Sequence, residues 1–513
     1  MDDSTSPAFQ LSPMDCQMPR RHVTKLLFFP SSDLEPASIA ESLKKGLELT
    51  VQLLPVLSGT VQLSYTGSQS GRLIVAEPYR TVDEMFTVND LRAHRDYDYD
   101  RMREKQFPTH DWSESVKPEF YGFSETQKLD QPVFAAKLNL IKGGSVFAIS
   151  SHHCFTDGNG VARVMEIWSS YCRGEHPTLA ADSISRSRLM GEPGLADIED
   201  FPGLHYLNDS GMEVGRFGHL LGLLRQKIRC WFDVLKVLFM KTWYQLVQEK
   251  GSWDAKPVTR ILFFSDEKLK ELKMLASNGK PQENDGSWIS TLDSLSALLW
   301  CSFVQARQYR TLVSSIDSST TSKEAPTRPP SPSENPRDQT VAMGVIINAR
   351  RLLQPQLPSS FIGNALLLAA IQHPLPKVTM TASTISTIAS SLRASINGKT
   401  PAYLTRYLSA LASVDDIRKI IRSRGPNPQY TLVVSSWRGQ AFYNQAWTQV
   451  FGTGCERVRA GIGPLPNGLA IILPEIKEAA GAAGGLEVAI GVEGKDVPRL
   501  RGNELLNRFC EWR

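Results

Sequence analysis

The chain has 513 residues, too many for one hydrophobic core, so two large units are expected, and its 41% hydrophobic residues suffice to fill both. A net charge of +4, with the basic residues scattered, leaves no electrostatic footprint for nucleic acid. Seven cysteines, at positions 16, 154, 172, 230, 301, 455 and 510, are an odd number without CxxC spacing, which argues against a disulfide framework and a zinc site and for a reducing, cytoplasmic compartment.

The first residues, Met1-Asp2-Asp3-Ser4, show neither a basic n-region nor an apolar h-region, so no secretory signal is expected. Phe9 to Asp15 holds a Pro-containing turn, Pro19-Arg20-Arg21 follows, and Val23 to Phe29 reads as a strand. Phe134 to Ile141 and Val146 to Ser150 read as a hairpin closed by Gly143-Gly144. After Gly158 the period changes, and Val161, Val164, Met165 and Trp168 recur at the spacing of one buried helical face.

The connection between that strand and helix is His152-His153-Cys154-Phe155-Thr156-Asp157-Gly158. His153 suits general-base work, because an imidazole titrates near pH ~6.5 and its neutral form accepts a proton from a hydroxyl or amine. Asp157 could fold back to hold the loop or reach a cation in the other half of the molecule. The plainer reading is a core histidine bonded to a carbonyl and an aspartate at a helix start. Adjacent extended residues point to opposite faces, so Cys154 is expected to face the core, and His152, His153 and Asp157 are not expected to share a metal. His152 is read as a support for the loop.

Residues 206–257 form a crossover. Within it, 220–247 is the most apolar long stretch, but six charged residues interrupt it, so packing on the protein is favoured over contact with a membrane surface. Val258 to Phe264 begins a second series of elements, followed by a helix over Asp266 to Ala276 and another from Ser290 to Arg307. Residues 318–339 carry five prolines and no large apolar side chain, the composition of a disordered insertion. Leu469 to Leu473 and Leu486 to Val492 read as late strands. Strands and helices alternate throughout, which gives an α/β class.

Five segments, in order, resemble the BAHD acyltransferases. They are the His153/Asp157 motif, Ser290 to Arg307, Asn348-Ala349-Arg350-Arg351 through Phe361-Ile362-Gly363-Asn364-Ala365, Ser435-Ser436-Trp437, and Phe451-Gly452-Thr453-Gly454. The last departs from the family's Asp-Phe-Gly-Trp-Gly at Val450 and Thr453. The start, Phe9 to Phe29, is similar to fungal members that decorate secondary metabolites, such as trichothecene acetyltransferases.

The resemblance implies a two-domain, chloramphenicol-acetyltransferase-like fold with mixed sheets and an active-site tunnel between domains 1–205 and 258–513. It implies coenzyme A-dependent acyl transfer, with acetyl-CoA as co-substrate, to a hydroxyl or amine of a small secondary metabolite, by a monomer with no permanently bound cofactor or metal. His153 would be the base, Asp157 would pair with Arg350 at the site beside Gly158, and Ser435, Ser436 and Trp437 would line the donor channel. Those three could equally be a strand edge packed by the tryptophan. The doubled histidine and Gly158 also fit condensation domains of peptide synthetases, although no carrier domain is recognisable. A silent protein that keeps the fold to bind a small apolar ligand is the third reading.

Overall fold

The computed structural model describes residues 8–65, 69–77, 79–108, 114–118, 131–207, 257–277, 288–321, 339–423, 425–443, 446–461, 463–477 and 483–513. The stretch 220–247, for which packing and membrane contact were both weighed, lies outside them, as do 322–338 of the expected insertion; residues 318–321 form the last turn of a helix that runs from Thr291 to Thr321. No helix among the described residues is long and apolar enough to cross a membrane.

The hairpin read from the sequence forms, with strands Phe134–Ile141 and Gly144–His152 paired antiparallel from Ile141↔Gly144 to Phe134↔Ser151. Gly143 makes the turn at φ 79°, where an L side chain is strained. The strand His22–Pro30 pairs antiparallel along the other side of Gly144–His152, so the base-motif strand is interior to its sheet. That sheet has five strands, in the order 457–460, 22–30, 144–152, 134–141 and 86–90. Its first member comes from the C-terminal part of the chain, with Arg457↔Phe28 and Ala460↔Lys25 in register.

A second sheet has seven strands, in the order 366–374, 340–348, 432–436, 469–472, 485–493, 257–265 and 511–512. The strand Leu432–Ser436 runs parallel to both of its neighbours and the others pair antiparallel, so the sheet is mixed. This strand therefore lies inside the sheet.

The helix Gly158–Cys172 lays Val161, Val164, Met165 and Trp168 against the first sheet, each at most 2% exposed. Burial of side chains of this size stabilises by about 1.5–3 kcal/mol each. Trp168 Nε1 donates to the Leu43 carbonyl at 2.8 Å, which ties this helix to the helix Pro36–Leu53. The same core takes in Phe361, Ile362, Leu404 and Phe451 from the second half of the chain. In the Phe451 motif, Phe451 stacks on Phe29 at 3.8 Å, Gly452 ends a short helix at φ 73°, and the Thr453 hydroxyl donates to the Pro30 carbonyl at 2.9 Å. Thr453 thus replaces the family's tryptophan with a tether to the strand that Phe451 covers.

Candidate active site

His153 follows the last residue of the strand Gly144–His152, and Asp157 is the N-cap of the helix that starts at Gly158. As the sequence implies for a helix start, Asp157 Oδ1 accepts the backbone N–H groups of Asn159 and Gly160, both at 3.0 Å. Arg350 reaches the same carboxylate across 193 positions of sequence, Nη1 to Oδ2 at 2.8 Å and Nη2 to Oδ1 at 2.9 Å. The Ala365 N–H adds a donor to Oδ2 at 3.2 Å. Burial alone would push the Asp157 carboxyl up; the Arg350 charge and hydrogen bonds, with the Gly160 and Ala365 N–H groups, outweigh it and hold the carboxyl below its ordinary value.

The guanidinium is itself fixed. Arg350 Nη2 donates to the carbonyls of Phe361 and Gly363, each at 3.0 Å, and Nη1 donates to Asn348 Oδ1 at 3.2 Å. The pair is 4% and 0% exposed. It therefore staples the base-motif loop to the end of the strand Thr340–Asn348. Gly158 permits a close approach on this loop, because a Cβ there would overlap the Gln440 side chain.

The His153 backbone is held on both sides. Its N–H donates to the Arg21 carbonyl at 2.8 Å, and its carbonyl accepts Asn364 Nδ2 at 2.8 Å. Burial is the largest influence on the half-buried imidazole and pushes its pKa below the ordinary value. The pull of its own backbone and of the Asp157 charge opposes this, while Arg21 and Lys25 add to it. The ring is therefore neutral at pH 7, the state a base requires. Nδ1 is buried without a hydrogen-bond partner, which leaves Nε2 as the outward nitrogen.

Sequence reasoning missed a second buried network under the same loop. Asp15 accepts Arg186 Nε at 2.9 Å and both the backbone and side-chain N–H groups of Asn364, at 3.0 and 2.8 Å. Arg186 also donates to the carbonyls of Phe155 and Ile362. Asn364, which holds the His153 carbonyl, is thus anchored by Asp15. Asp15 and Asn364 lay in segments singled out from the sequence, but nothing in the sequence marked Arg186.

His152 turns inward. Its Nδ1 accepts the Cys154 N–H at 3.3 Å, and its ring meets His22 edge-on at 5.3 Å. Burial, with the nearby histidine charges, pushes its pKa well down. Cys154 is fully buried, and its thiol points to the carbonyls of Met18 and Pro19. Burial pushes the thiol far above its ordinary value, so the thiolate a nucleophile needs is suppressed. Cys154→Ala is expected to leave turnover unchanged, and iodoacetamide should not label this thiol in the folded protein. Loss of turnover together with labelling would make Cys154 a nucleophile after all.

Ser435 and Ser436 are half-buried at the end of the strand Leu432–Ser436. Trp437 is 6% exposed, donates its N–H to the Ile472 carbonyl at 2.8 Å, and packs with Ile261, Leu465 and Leu473.

Comparison with known proteins gives two family matches on this chain. Residues 23–172 match the trichothecene 3-O-acetyltransferase-like N-terminal domain, and residues 245–457 match the Transferase family. Eremophilane O-acetyltransferase prx11 of Penicillium rubens is 26% identical, over 85% of this chain and 86% of its own length. Trichothecene 8-O-acetyltransferase of Fusarium sporotrichioides is 22% identical, over 79% and 76%. Among solved structures, F. graminearum TRI101 complexed with coenzyme A and T-2 mycotoxin aligns over 99% of this chain and 100% of its own, with a TM-score of 0.70 at 16% identity. Vinorine synthase aligns over 99% and 96%, with a TM-score of 0.55 at 15% identity. The fold is the two-domain α/β fold these structures share; residues 245–457 belong to the Transferase family, the BAHD acyltransferases, and residues 23–172 to an N-terminal domain of the trichothecene 3-O-acetyltransferase type.

Proposed function

We propose that the protein is an O-acetyltransferase that moves the acetyl group of acetyl-CoA to a hydroxyl of a terpenoid-like secondary metabolite. The observation that carries this reading is a half-buried His153, its Nδ1 without a hydrogen-bond partner, on a loop clamped by the buried Asp157–Arg350 pair. The relatives' names support the acceptor class, since two of them act on eremophilanes and trichothecenes.

In this reading His153 Nε2 takes the acceptor's hydroxyl proton as its oxygen attacks the thioester carbonyl. The tetrahedral oxyanion collapses, the C–S bond breaks, and the leaving sulfur recovers the proton from the imidazolium. Asp157 stays with Arg350 and fixes geometry. Ser435, Ser436 and Trp437 line the donor side, and donor and acceptor meet at His153 from opposite ends of a tunnel between domains 1–205 and 258–513. The enzyme works as a cytoplasmic monomer, in keeping with the six free cysteines among the described residues.

Coenzyme A should raise the melting temperature, because a ligand bound only by the native state stabilises it by about 2.7 kcal/mol at a hundredfold excess over Kd. Scanning calorimetry with and without millimolar coenzyme A reads this directly. An unchanged transition would reject the coenzyme A-dependent reading in favour of a carrier-bound donor or a silent ligand-binding protein.

A further inference from the structure

Lys25 sits in the apolar strand His22–Pro30 and is 1% exposed. Its neighbours Leu26, Leu27, Phe28 and Phe29 are fully buried. A lysine in such a position normally finds a carboxylate, because an unpaired buried charge is costly. Among the described residues its ammonium makes no hydrogen bond and no ion pair. It lies instead over two aromatic faces, 4.7 Å from the centre of the Trp437 ring and 5.7 Å from that of Phe442.

Strand register directs this cation to the site. Lys25 pairs with Ile149 and Val23 with Ser151, so side chains at 149 and 151 share its face, and His153 follows two residues later. From Ile149 to His153 the chain covers about 13 Å at 3.3 Å per residue, part of which the long lysine stem spans. The Lys25 charge acts on the His153 imidazole. Trp437 belongs to the segment assigned above to the donor side, and Phe442 also borders a cavity of about 240 Å³ with Asn159, Met165 and Ser359. Asp157 and His153 are the titratable groups that feel this charge, and Asp157 is already occupied by Arg350. On the neighbouring strand, Arg459 pairs with Leu26 in register, so it faces the other side of the sheet and bonds Glu487 at 2.6 Å.

We propose that the Lys25 ammonium is a catalytic group that donates a hydrogen bond to the oxyanion formed when the acceptor attacks the thioester carbonyl. The inference rests on the acyl-transfer reading with His153 as base. The missing counter-charge is then the one that the reaction creates. As the acceptor oxygen bonds to the carbonyl carbon, the carbonyl electron pair moves to oxygen and is held by Lys25. Collapse restores the carbonyl and expels the thiolate. Lys25 keeps its proton throughout, which is why its state of charge controls the rate. Burial pulls its pKa down to about 8, with the Asp157 charge opposing, so the ammonium persists at pH 7 and is lost on the alkaline side. The rate should fall as pH rises through about 8.

The test is release of coenzyme A from acetyl-CoA across pH, with a panel of sesquiterpene alcohols and with water alone as acceptor. The parent is compared with Lys25→Met, Lys25→Gln and His153→Ala. Both Lys25 variants should lose about 100-fold in kcat, the scale for removing one oxyanion donor, with little change in KM for acetyl-CoA. Both should lose the alkaline fall near pH 8 and melt no lower than the parent, since a buried unpaired charge has gone. Variants that keep kcat and the alkaline fall while His153→Ala is inactive would overturn this inference and leave the base assignment standing. A change in KM alone, or loss of folding in both variants, would also overturn it. A parent that releases no coenzyme A would sink the acyl-transfer reading and this inference together.

Discussion

His153→Ala is expected to lower turnover by about 100- to 10,000-fold, the range for losing a general base, with the melting curve unchanged. The fold should survive because the loop is held at residue 153 through its backbone. The N–H bond to the Arg21 carbonyl and the bond from Asn364 to the residue 153 carbonyl persist with any side chain. The imidazole is only half-buried and its Nδ1 has no partner to abandon. The acid side of the pH profile makes a related point. Since burial lowers the His153 pKa, activity in the parent should hold until the pH falls below about 6.5, the ordinary imidazole value. Steady-state kinetics of the variant beside its thermal melt decide the matter: comparable activity with an unchanged melt would remove His153 as the base.

The second large effect is on the clamp. Asp157→Asn and Arg350→Met should each destabilise the protein by about 3–5 kcal/mol, because each leaves the other charge buried without its partner. The double variant should lose less than the sum. Catalysis should fall in both single variants, since the loop that carries His153 is no longer stapled to the strand Thr340–Asn348. The pH dependence has a definite sign. The Asp157 carboxyl is held below its unfolded value, so its stabilising contribution is complete above about pH 4 and is lost as pH falls through the lower native value. Asp157→Asn should remove that part of the acid slope. Chemical denaturation of the four proteins measures the coupling, and additive losses within about 0.5 kcal/mol would mean the two side chains act independently.

The parts of this site that could be read from the sequence are local. Val146 to Trp168 reads as strand, turn and helix because the apolar period changes at Gly158; the strand forms within two residues of its expected ends, and the helix starts at Gly158 and runs four residues past Trp168. The partner of Asp157 was different. A cation somewhere in the second half was all the residues themselves suggested, and Arg350 came from the family resemblance. Contacts that link distant positions left no pattern to find. Asp15 meets Arg186 171 positions away and Asn364 349 away, and no period or spacing encodes such a meeting. The same holds for the strand Arg457–Ala460, which crosses into the first sheet to pair with His22–Pro30. The helix from Thr291 runs to Thr321, fourteen residues past Arg307. Lys25 did leave a signal, a charge within an apolar strand, but its meaning depends on Trp437 and Phe442, more than four hundred residues away.

In the proposed reaction acetyl passes from acetyl-CoA directly to a metabolite hydroxyl, without an acyl-enzyme. Incubating the protein with acetyl-labelled acetyl-CoA and a metabolite extract of the producing organism, then following both small molecules and intact protein by mass spectrometry, tests it most directly. Direct transfer puts label in an acetylated small molecule, releases equimolar free coenzyme A and leaves the intact protein mass unchanged. Label retained on the protein, or no transfer to any metabolite, would contradict it.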